Sequence, residues 1–154
     1  MSIDDIIDYV AALGGVLVLR PRAGDGSPPI SWGDVFFYYA PTGVVPTAQP
    51  FATIVTKDYP DEPASGLDAP GAFRLNIATS ATESAEVTGH DPRQATAHEI
   101  HPSRLDAWFP HPVYGRSGWL CVVNPAERTL DEALGLLKTA YAAARLRSQR
   151  RITD

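Results

Sequence analysis

The stretch AFRLNIA, residues 72–78, alternates apolar and polar side chains. Because successive side chains of a β-strand point to opposite faces of a sheet, this alternation predicts a strand whose two faces meet different surroundings. The apolar set, which would pack against a core, is Phe73, Leu75 and Ile77. Arg74 and Asn76 would then lie on the other face. The stretch therefore predicts a sheet with one covered face and one partly open face.

Four other segments are typical of strands, since they are rich in β-branched, aromatic or leucine side chains and are bounded by glycine or proline. They are residues 16–20, 32–40, 51–57 and 118–124. Between residues 90 and 117 the sequence predicts irregular structure, with one helical turn around residues 93–99. All fourteen prolines lie between Pro21 and Pro125, so both ends of the chain are free to be helical.

Three helices are predicted from capping boxes, in which a Ser or Thr and an acidic side chain three residues later satisfy free N–H groups of the first turn. The pairs are Ser2 with Asp5, Ser80 with Glu83, and Thr129 with Glu132. The resulting order of elements predicts an α+β fold. We expect a two-layer sandwich in which an antiparallel sheet of about five strands carries the N- and C-terminal helices on one face. Its length of 154 residues predicts a single domain over residues 1–154.

Composition limits the classes of function. The chain carries 18 acidic and 13 basic side chains, a net charge of −5, and so lacks the overall basic character of a nucleic-acid-binding protein. The charge is uneven, because residues 138–154 hold five bases against one acid. No apolar run approaches the ~18 residues of a membrane helix, and the start MSIDDIID is acidic where a signal peptide is basic. With Cys121 as its one cysteine, the protein is expected to be cytoplasmic, without disulfides and without membrane contact.

Alternation along the strands also places polar and aromatic side chains on the open face. The set comprises Lys57, Arg74, Asn76 and Trp119, joined either by Trp32, Asp34 and Tyr38 or by Tyr39. A cationic surface with aromatic walls is typical of a site for a small planar or anionic ligand. The alternative interpretation is a solvated sheet face with aromatic cross-strand pairs.

One histidine stands out from the four that fall within residues 90–111. Pro110 and Pro112 hold His111 on a stiff loop that leads directly into the strand of Trp119. We therefore take His111 as a candidate general acid or base, with Tyr114 as a candidate hydrogen-bond donor. The alternative is that His111 anchors the loop structurally.

The sequence HEIH, residues 98–101, raises the question of a zinc site, since imidazoles at i and i+3 can share a helix face. Pro102 disfavours a helix at His101, and HEIH does not have the spacing of the HExxH motif. Cys121 lies within an apolar strand, where an inert buried thiol is expected. We expect no metal and no cofactor.

Four motifs together resemble a family of uncharacterised bacterial proteins known only as a domain of unknown function. They are WGDVFFYYAP, ATIVTKDYP, FRLNI and PHPVYGRSGW, and the resemblance runs over nearly the whole chain. More distantly, the order of elements, with Trp119 opening the last strand and Tyr141 in the final helix, is similar to the MmcQ/YjbR-like group. That resemblance implies a frataxin-related sandwich of helices and sheet, and a suggested DNA partner. The chain departs from the DNA expectation, because it has two lysines and is net negative before residue 138.

We expect a cytoplasmic protein that binds a small molecule between the open sheet face and the loop of His111 and Tyr114. An enzyme of specialised metabolism is one form of this hypothesis, and catalysis itself is left open. The alternative is a non-catalytic interaction module that binds DNA or a protein through the sheet or through the arginine-rich C-terminus, although the net charge disfavours nucleic acid.

Overall fold

The computed structural model of the chain describes residues 1–94 and 103–153. That part of the chain forms one antiparallel sheet of six strands together with three helices. The helices are α1 (Ile3–Ala11), α2 (Ala81–Thr88) and α3 (Leu130–Thr153). The strands are β1 (Val16–Leu19), β2 (Val35–Tyr39), β3 (Ala52–Val55), β4 (Arg74–Ile77), β5 (Trp108–Pro110) and β6 (Leu120–Val123), in the spatial order β1-β2-β3-β4-β6-β5. The predicted α+β class is confirmed.

Helices α1 and α3 pack on one face of the sheet and enclose the main core. From the strands this core takes side chains at alternate positions, among them Phe37, Ile54, Leu75, Ile77 and Val122. Ile6 of α1 and Leu137 of α3 are fully buried against them. The hydroxyl of Tyr141 donates to the carbonyl oxygens of Leu13 at 2.9 Å and Gly14 at 2.7 Å, which ties α3 to the chain that follows α1. The alternation along β4 therefore predicts the helix-covered face correctly.

The opposite face of the sheet is more enclosed than the sequence indicates. Residues 56–73 fold back over its centre and contribute Tyr59, Leu67 and Ala72 to a second, smaller core with Val55 and Phe109. The carboxylate of Asp58 organises this loop, because it accepts from the backbone N–H groups of Ser65 at 2.6 Å and Leu67 at 3.1 Å. The expected open face is thus reduced to a cleft beside the loop.

The sheet has six strands where about five are predicted. The additional strand, β5, lies within the stretch predicted to be irregular and pairs only with β6, with Phe109 opposite Cys121. Three residues are too few to display alternation, and Pro110 argues against a strand, although proline is tolerated at a sheet edge. The helical turn expected around residues 93–99 lies mostly outside the described residues, as do His98 and His101.

Two of the three predicted capping boxes are confirmed, and the third differs. Both reciprocal hydrogen bonds are present for Ser2 with Asp5 and for Ser80 with Glu83. At α3, however, Thr129 donates its hydroxyl to Oδ1 of Asp106 at 2.7 Å. The two oxygens of Asp106 also accept from the backbone N–H groups of Ala126, Arg128 and Thr129 at 2.8, 2.9 and 3.1 Å. A carboxylate from a distant loop therefore holds the turn of residues 126–129 that leads into α3.

No helix in the described part of the chain combines the length and the apolar character needed to cross a membrane.

Candidate functional site

A cleft of about 520 Å³ lies on the sheet face opposite α1 and α3. Strands β2, β3 and β4 form its floor, and the loops around residues 59–62 and 111–119 form its walls. Of the residues predicted from the sequence to form a site, those that line the cleft are Tyr38, Arg74, Asn76, His111, Tyr114 and Trp119. The structure therefore brings both parts of the expected site, the sheet face and the histidine loop, around one cleft.

The other three predicted residues lie away from the cleft. Asp34 is fully buried and accepts from the Thr56 backbone N–H and from Lys57 Nζ, each at 3.0 Å. Trp32 lies on the loop before β2, where its indole N–H donates to the carbonyl of Ser27 at 3.3 Å. Lys57 and Asp34 thus form an internal ion pair, and Trp32 is part of a separate turn.

Asp34 still acts on the cleft through Tyr59, which lines it. The hydroxyl of Tyr59 donates to Oδ2 of Asp34. Burial, reinforced by that hydrogen bond, raises the pKa of Tyr59 above its usual range. Tyr59 is consequently a protonated phenol whose hydroxyl points to Asp34. A ligand in the cleft can therefore contact its aromatic ring. Of the two alternative tyrosines of β2, Tyr38 faces the cleft, whereas Tyr39 packs edge-on against Tyr141 with ring centres 5.8 Å apart.

The floor of the cleft is a buried polar network centred on Arg74, which is 3% exposed. Its Nε donates to Oδ1 of Asn76 at 2.8 Å, and its Nη1 donates to Oγ of Ser65 at 3.2 Å. Asn76 donates in turn to Oγ1 of Thr53 at 2.9 Å. A buried guanidinium held in this way is fixed in place, since each bond restricts its planar group.

Cys121 belongs to the same network. Its thiol donates to Oδ1 of Asn76 at 2.9 Å and is fully buried. Burial raises the pKa of Cys121 to about 12. Because the thiolate is the nucleophilic form, this cysteine is an inert structural group, as its place in an apolar strand predicts.

Glu62 is not among the site residues that the sequence predicts. Its Oε2 lies 3.7 Å from Nη2 of Arg74, and its Oε1 lies 3.9 Å from Nε2 of His111. Both separations exceed hydrogen-bond distance, so the carboxylate has capacity to accept from a further group. The sequence shows that Pro60 and Pro63 bracket Asp61 and Glu62, which indicates a stiff segment, but this local pattern does not reveal where the segment lies in the fold.

His111 is held as a neutral imidazole of one tautomer. Its Nδ1 accepts from the backbone N–H groups of Val113 at 3.0 Å and Tyr114 at 3.1 Å, which leaves the ring proton on Nε2, facing Glu62. Burial, and then the positive charge of Arg74, lowers the pKa of His111 to about 3. The carboxylate of Glu62 would favour a charged imidazole, but the atom that would take the second proton is occupied by the two N–H donors. His111 is therefore placed to donate a hydrogen bond rather than to accept a proton.

An aromatic cluster forms the wall above this polar floor. The rings of His111 and Tyr114 have centres 5.0 Å apart, and the ring of Trp119 lies 6.3 Å from the first and 6.2 Å from the second. These separations lie within the range of favourable aromatic contacts. The cluster presents flat apolar surfaces to the cleft, with Tyr38 also lining it.

The charge of the cleft differs from the cationic surface that the sequence predicts. Its ionised lining residues are Asp61, Glu62 and Arg74, two acids against one base, and Lys57 is paired elsewhere with Asp34. Among residues 1–94 and 103–153, no three His, Cys, Asp or Glu side chains are grouped so as to hold a metal ion. The cleft is thus a polar, slightly acidic site with aromatic walls.

Comparison with known proteins places the whole described chain in one family. A model of a family of unknown function, DUF6194, matches residues 1–153. No curated protein and no solved structure shows significant similarity to the chain. This match agrees with the resemblance to an uncharacterised family that the four sequence motifs indicate. The chain belongs to the DUF6194 family of unknown function.

Proposed function

We propose that this protein binds a small molecule whose planar, uncharged body occupies the cleft between the sheet and residues 111–119. The observation that supports this most is the pairing of aromatic walls with a buried polar floor. Ligand sites are commonly concave, largely apolar, and supplied with a few fixed polar groups that orient the ligand. Here Tyr38 and Trp119 supply flat surfaces, and Arg74 is held rigid beneath them.

The polar groups of the cleft define which hydrogen-bonding groups the edge of the ligand must carry. His111 presents an Nε2–H donor, and the carboxylate of Glu62 presents an acceptor. A hydroxyl or an amide, which both donates and accepts, satisfies the two together. An anion is disfavoured, because Asp61 and Glu62 outnumber Arg74 along the lining. Heteroaromatic amides and phenols are the chemical classes that fit best.

The proposal is tested by a thermal-shift screen of such compounds, followed by calorimetry on the compounds that bind. We expect Glu62→Gln to weaken binding by about tenfold or more, because it removes a charged hydrogen-bond acceptor. The matched control is Asp68→Asn, which removes one charge from an exposed position of the same loop outside the cleft lining. Equal affinities for the wild type and Glu62→Gln would refute the role of the cleft.

The alternative is a non-catalytic module that binds DNA or a protein partner. The exposed bases on the last turns of α3 favour it, and the net charge of −5 disfavours it for DNA. Binding of duplex DNA that falls steeply with salt and disappears when residues 145–154 are removed would support this alternative. The MmcQ/YjbR-like fold assignment, the cytoplasmic location and the enzymatic form of the hypothesis stay predictions.

A further inference from the structure

A second cavity, of about 310 Å³, adjoins the cleft. It lies between the end of α3, the connection from β2 to β3, and residues 78–79 and 117–119. The two cavities share four lining residues, Tyr38, Gln49, Pro50 and Trp119. One ligand can therefore contact both cavities across the side chains of Tyr38 and Trp119.

The charge of the second cavity is opposite in sign to that of the cleft. Arg147 and Arg151 line it from α3, where a spacing of four residues places them on the same face of the helix. The hydroxyls of Ser117 and Ser148 also line it, together with Thr79, whose hydroxyl donates to the carbonyl of Gly118. The described residues around this cavity include no carboxylate. Two guanidinium groups with nearby hydroxyls are a donor set suited to an anion.

Neither guanidinium is neutralised within the part of the chain that the structure describes. Lys57 and Arg74 have the acidic partners Asp34 and Glu62, whereas Arg147 and Arg151 have no hydrogen-bond or ion-pair partner among the described residues. Residues 133–153 contain no Asp or Glu at all. Positive charge without an acidic partner among the described residues is thus concentrated at the second cavity, whereas Arg74 in the cleft lies beside Glu62.

We propose that the second cavity binds a phosphate group carried by the ligand whose planar body occupies the cleft. This inference rests on the proposed function for the identity of that body. Two guanidinium groups balance the charge of a phosphate monoester, and with the hydroxyls of Ser117 and Ser148 they offer more donors than the two oxygens of a carboxylate can use. The ligand is accordingly a phosphorylated aromatic or heteroaromatic compound, uncharged at the end that meets Glu62.

The arginine side chains must supply all of the positive charge that attracts the anion. The end of α3 nearest the cavity is its C-terminus, whose macrodipole is negative and opposes an anion. Removing both guanidinium groups should consequently abolish phosphate binding rather than weaken it slightly.

The experiment uses phenyl phosphate that carries a para-hydroxyl group, called phenyl phosphate below, and its two halves, phenol and inorganic phosphate, as probes. The para-hydroxyl group can then meet Glu62 and His111 while the phosphate lies in the second cavity. Binding is followed by NMR through the indole N–H resonance of Trp119, which lines both cavities and is assigned with Trp119→Phe. We expect phenyl phosphate to bind at least about tenfold more tightly than either half. In the double variant Arg147→Gln/Arg151→Gln, phosphate binding is lost, phenol binding is unchanged, and phenyl phosphate falls to the affinity of phenol.

The control is Lys138→Gln/Arg145→Gln, which removes the same charge from exposed positions of the same helix that do not line the cavity. The anion site is overturned if Arg147→Gln/Arg151→Gln binds phosphate as the wild type does. It is also overturned if the control variant loses phosphate binding to the same extent. Duplex DNA that binds more tightly than phenyl phosphate, and is weakened equally by both double variants, also overturns it. If phosphate binds in an arginine-dependent way but phenol does not bind, the anion site is upheld and the ligand site in the cleft is refuted. If phenol binds but phosphate does not, only the anion site is refuted.

Discussion

At the scale of single residues, the chemistry of His111 is decided by two backbone N–H groups. They occupy Nδ1, fix the proton on Nε2, and leave a neutral donor facing Glu62. The prolines on either side predict a stiffly held imidazole, but the sequence does not reveal which ring atom is occupied. That depends on the turn from His111 to Gly115, whose closing hydrogen bond joins the Gly115 N–H to the His111 carbonyl at 2.8 Å.

The depressed pKa of His111 predicts a specific pH dependence of stability. Its pKa is about 3 in the folded protein and near 6.5 in the unfolded chain, so between these values the unfolded chain binds the extra proton. The free energy of unfolding should therefore decline as the pH falls below about 6.5, with a contribution from His111 of up to about 2 kcal/mol by pH 5. Urea denaturation at pH 7.5 and pH 5 measures this loss.

His111→Asn serves as the comparison, because its amide oxygen can replace Nδ1 as an acceptor but cannot be protonated. The variant should lose less stability between the two pH values than the wild type does. Identical losses in both proteins would show that His111 is not held neutral.

At the scale of elements, local patterns predict the strands well, and long-range contacts explain what was missed. Alternation along β4 assigns its two faces correctly because the rule depends on neighbouring residues alone. The position of Glu62 and the cover over the sheet depend on how residues 56–73 fold back, which no local pattern encodes. The same holds for the turn before α3, where Asp106 lies 23 residues before its partner Thr129.

The role of Asp106 in the turn before α3 is testable against the capping box that the sequence predicts. Asp106→Ala should reduce the free energy of unfolding by about 1–2 kcal/mol, since it removes an acceptor shared by three backbone N–H groups of the turn before α3. Glu132→Gln, which alters the predicted partner of Thr129, should change it by less than about 0.5 kcal/mol. Chemical denaturation of the two variants compares these roles. A larger effect at Glu132 would restore the sequence-based interpretation.

The loop that carries the aromatic cluster depends on a close approach at Gly118. This residue has φ of 107°, and a Cβ there would lie 2.2 Å from the carbonyl oxygen of Thr79. Gly118→Ala should therefore destabilise the fold by about 2 kcal/mol or more and displace the neighbouring Trp119.

Gly43→Ala separates the strain of a positive φ from the steric clash of the added Cβ. Gly43 also has a positive φ, of 78°, but a Cβ there would meet nothing within 4 Å. This variant should lose only about 1 kcal/mol, the cost of the backbone conformation. Thermal unfolding with near-ultraviolet circular dichroism measures both the stability and the packing of the tryptophan. Equal effects at the two glycines would mean that residues 79 and 118 do not pack closely.

At the scale of the whole molecule, the distribution of charge is more informative than its total. The net charge of −5 describes an acidic chain. Within it, Lys57 pairs with Asp34 away from the cleft and Arg74 pairs with Glu62, and the cleft is left slightly acidic. Positive charge is concentrated instead along the last turns of α3, beside the second cavity. Sequence position could predict this concentration, but which bases are neutralised depends on the tertiary structure.

The central claim is that the cleft between the sheet and residues 111–119 binds a planar small molecule. Crystals soaked with a library of phenols and heteroaromatic amides test it most directly, because electron density reports where each compound binds. We predict that bound compounds stack against Trp119 with a polar edge between Glu62 and Nε2 of His111. Compounds found only elsewhere on the surface, with the cleft holding none of them, would contradict the claim.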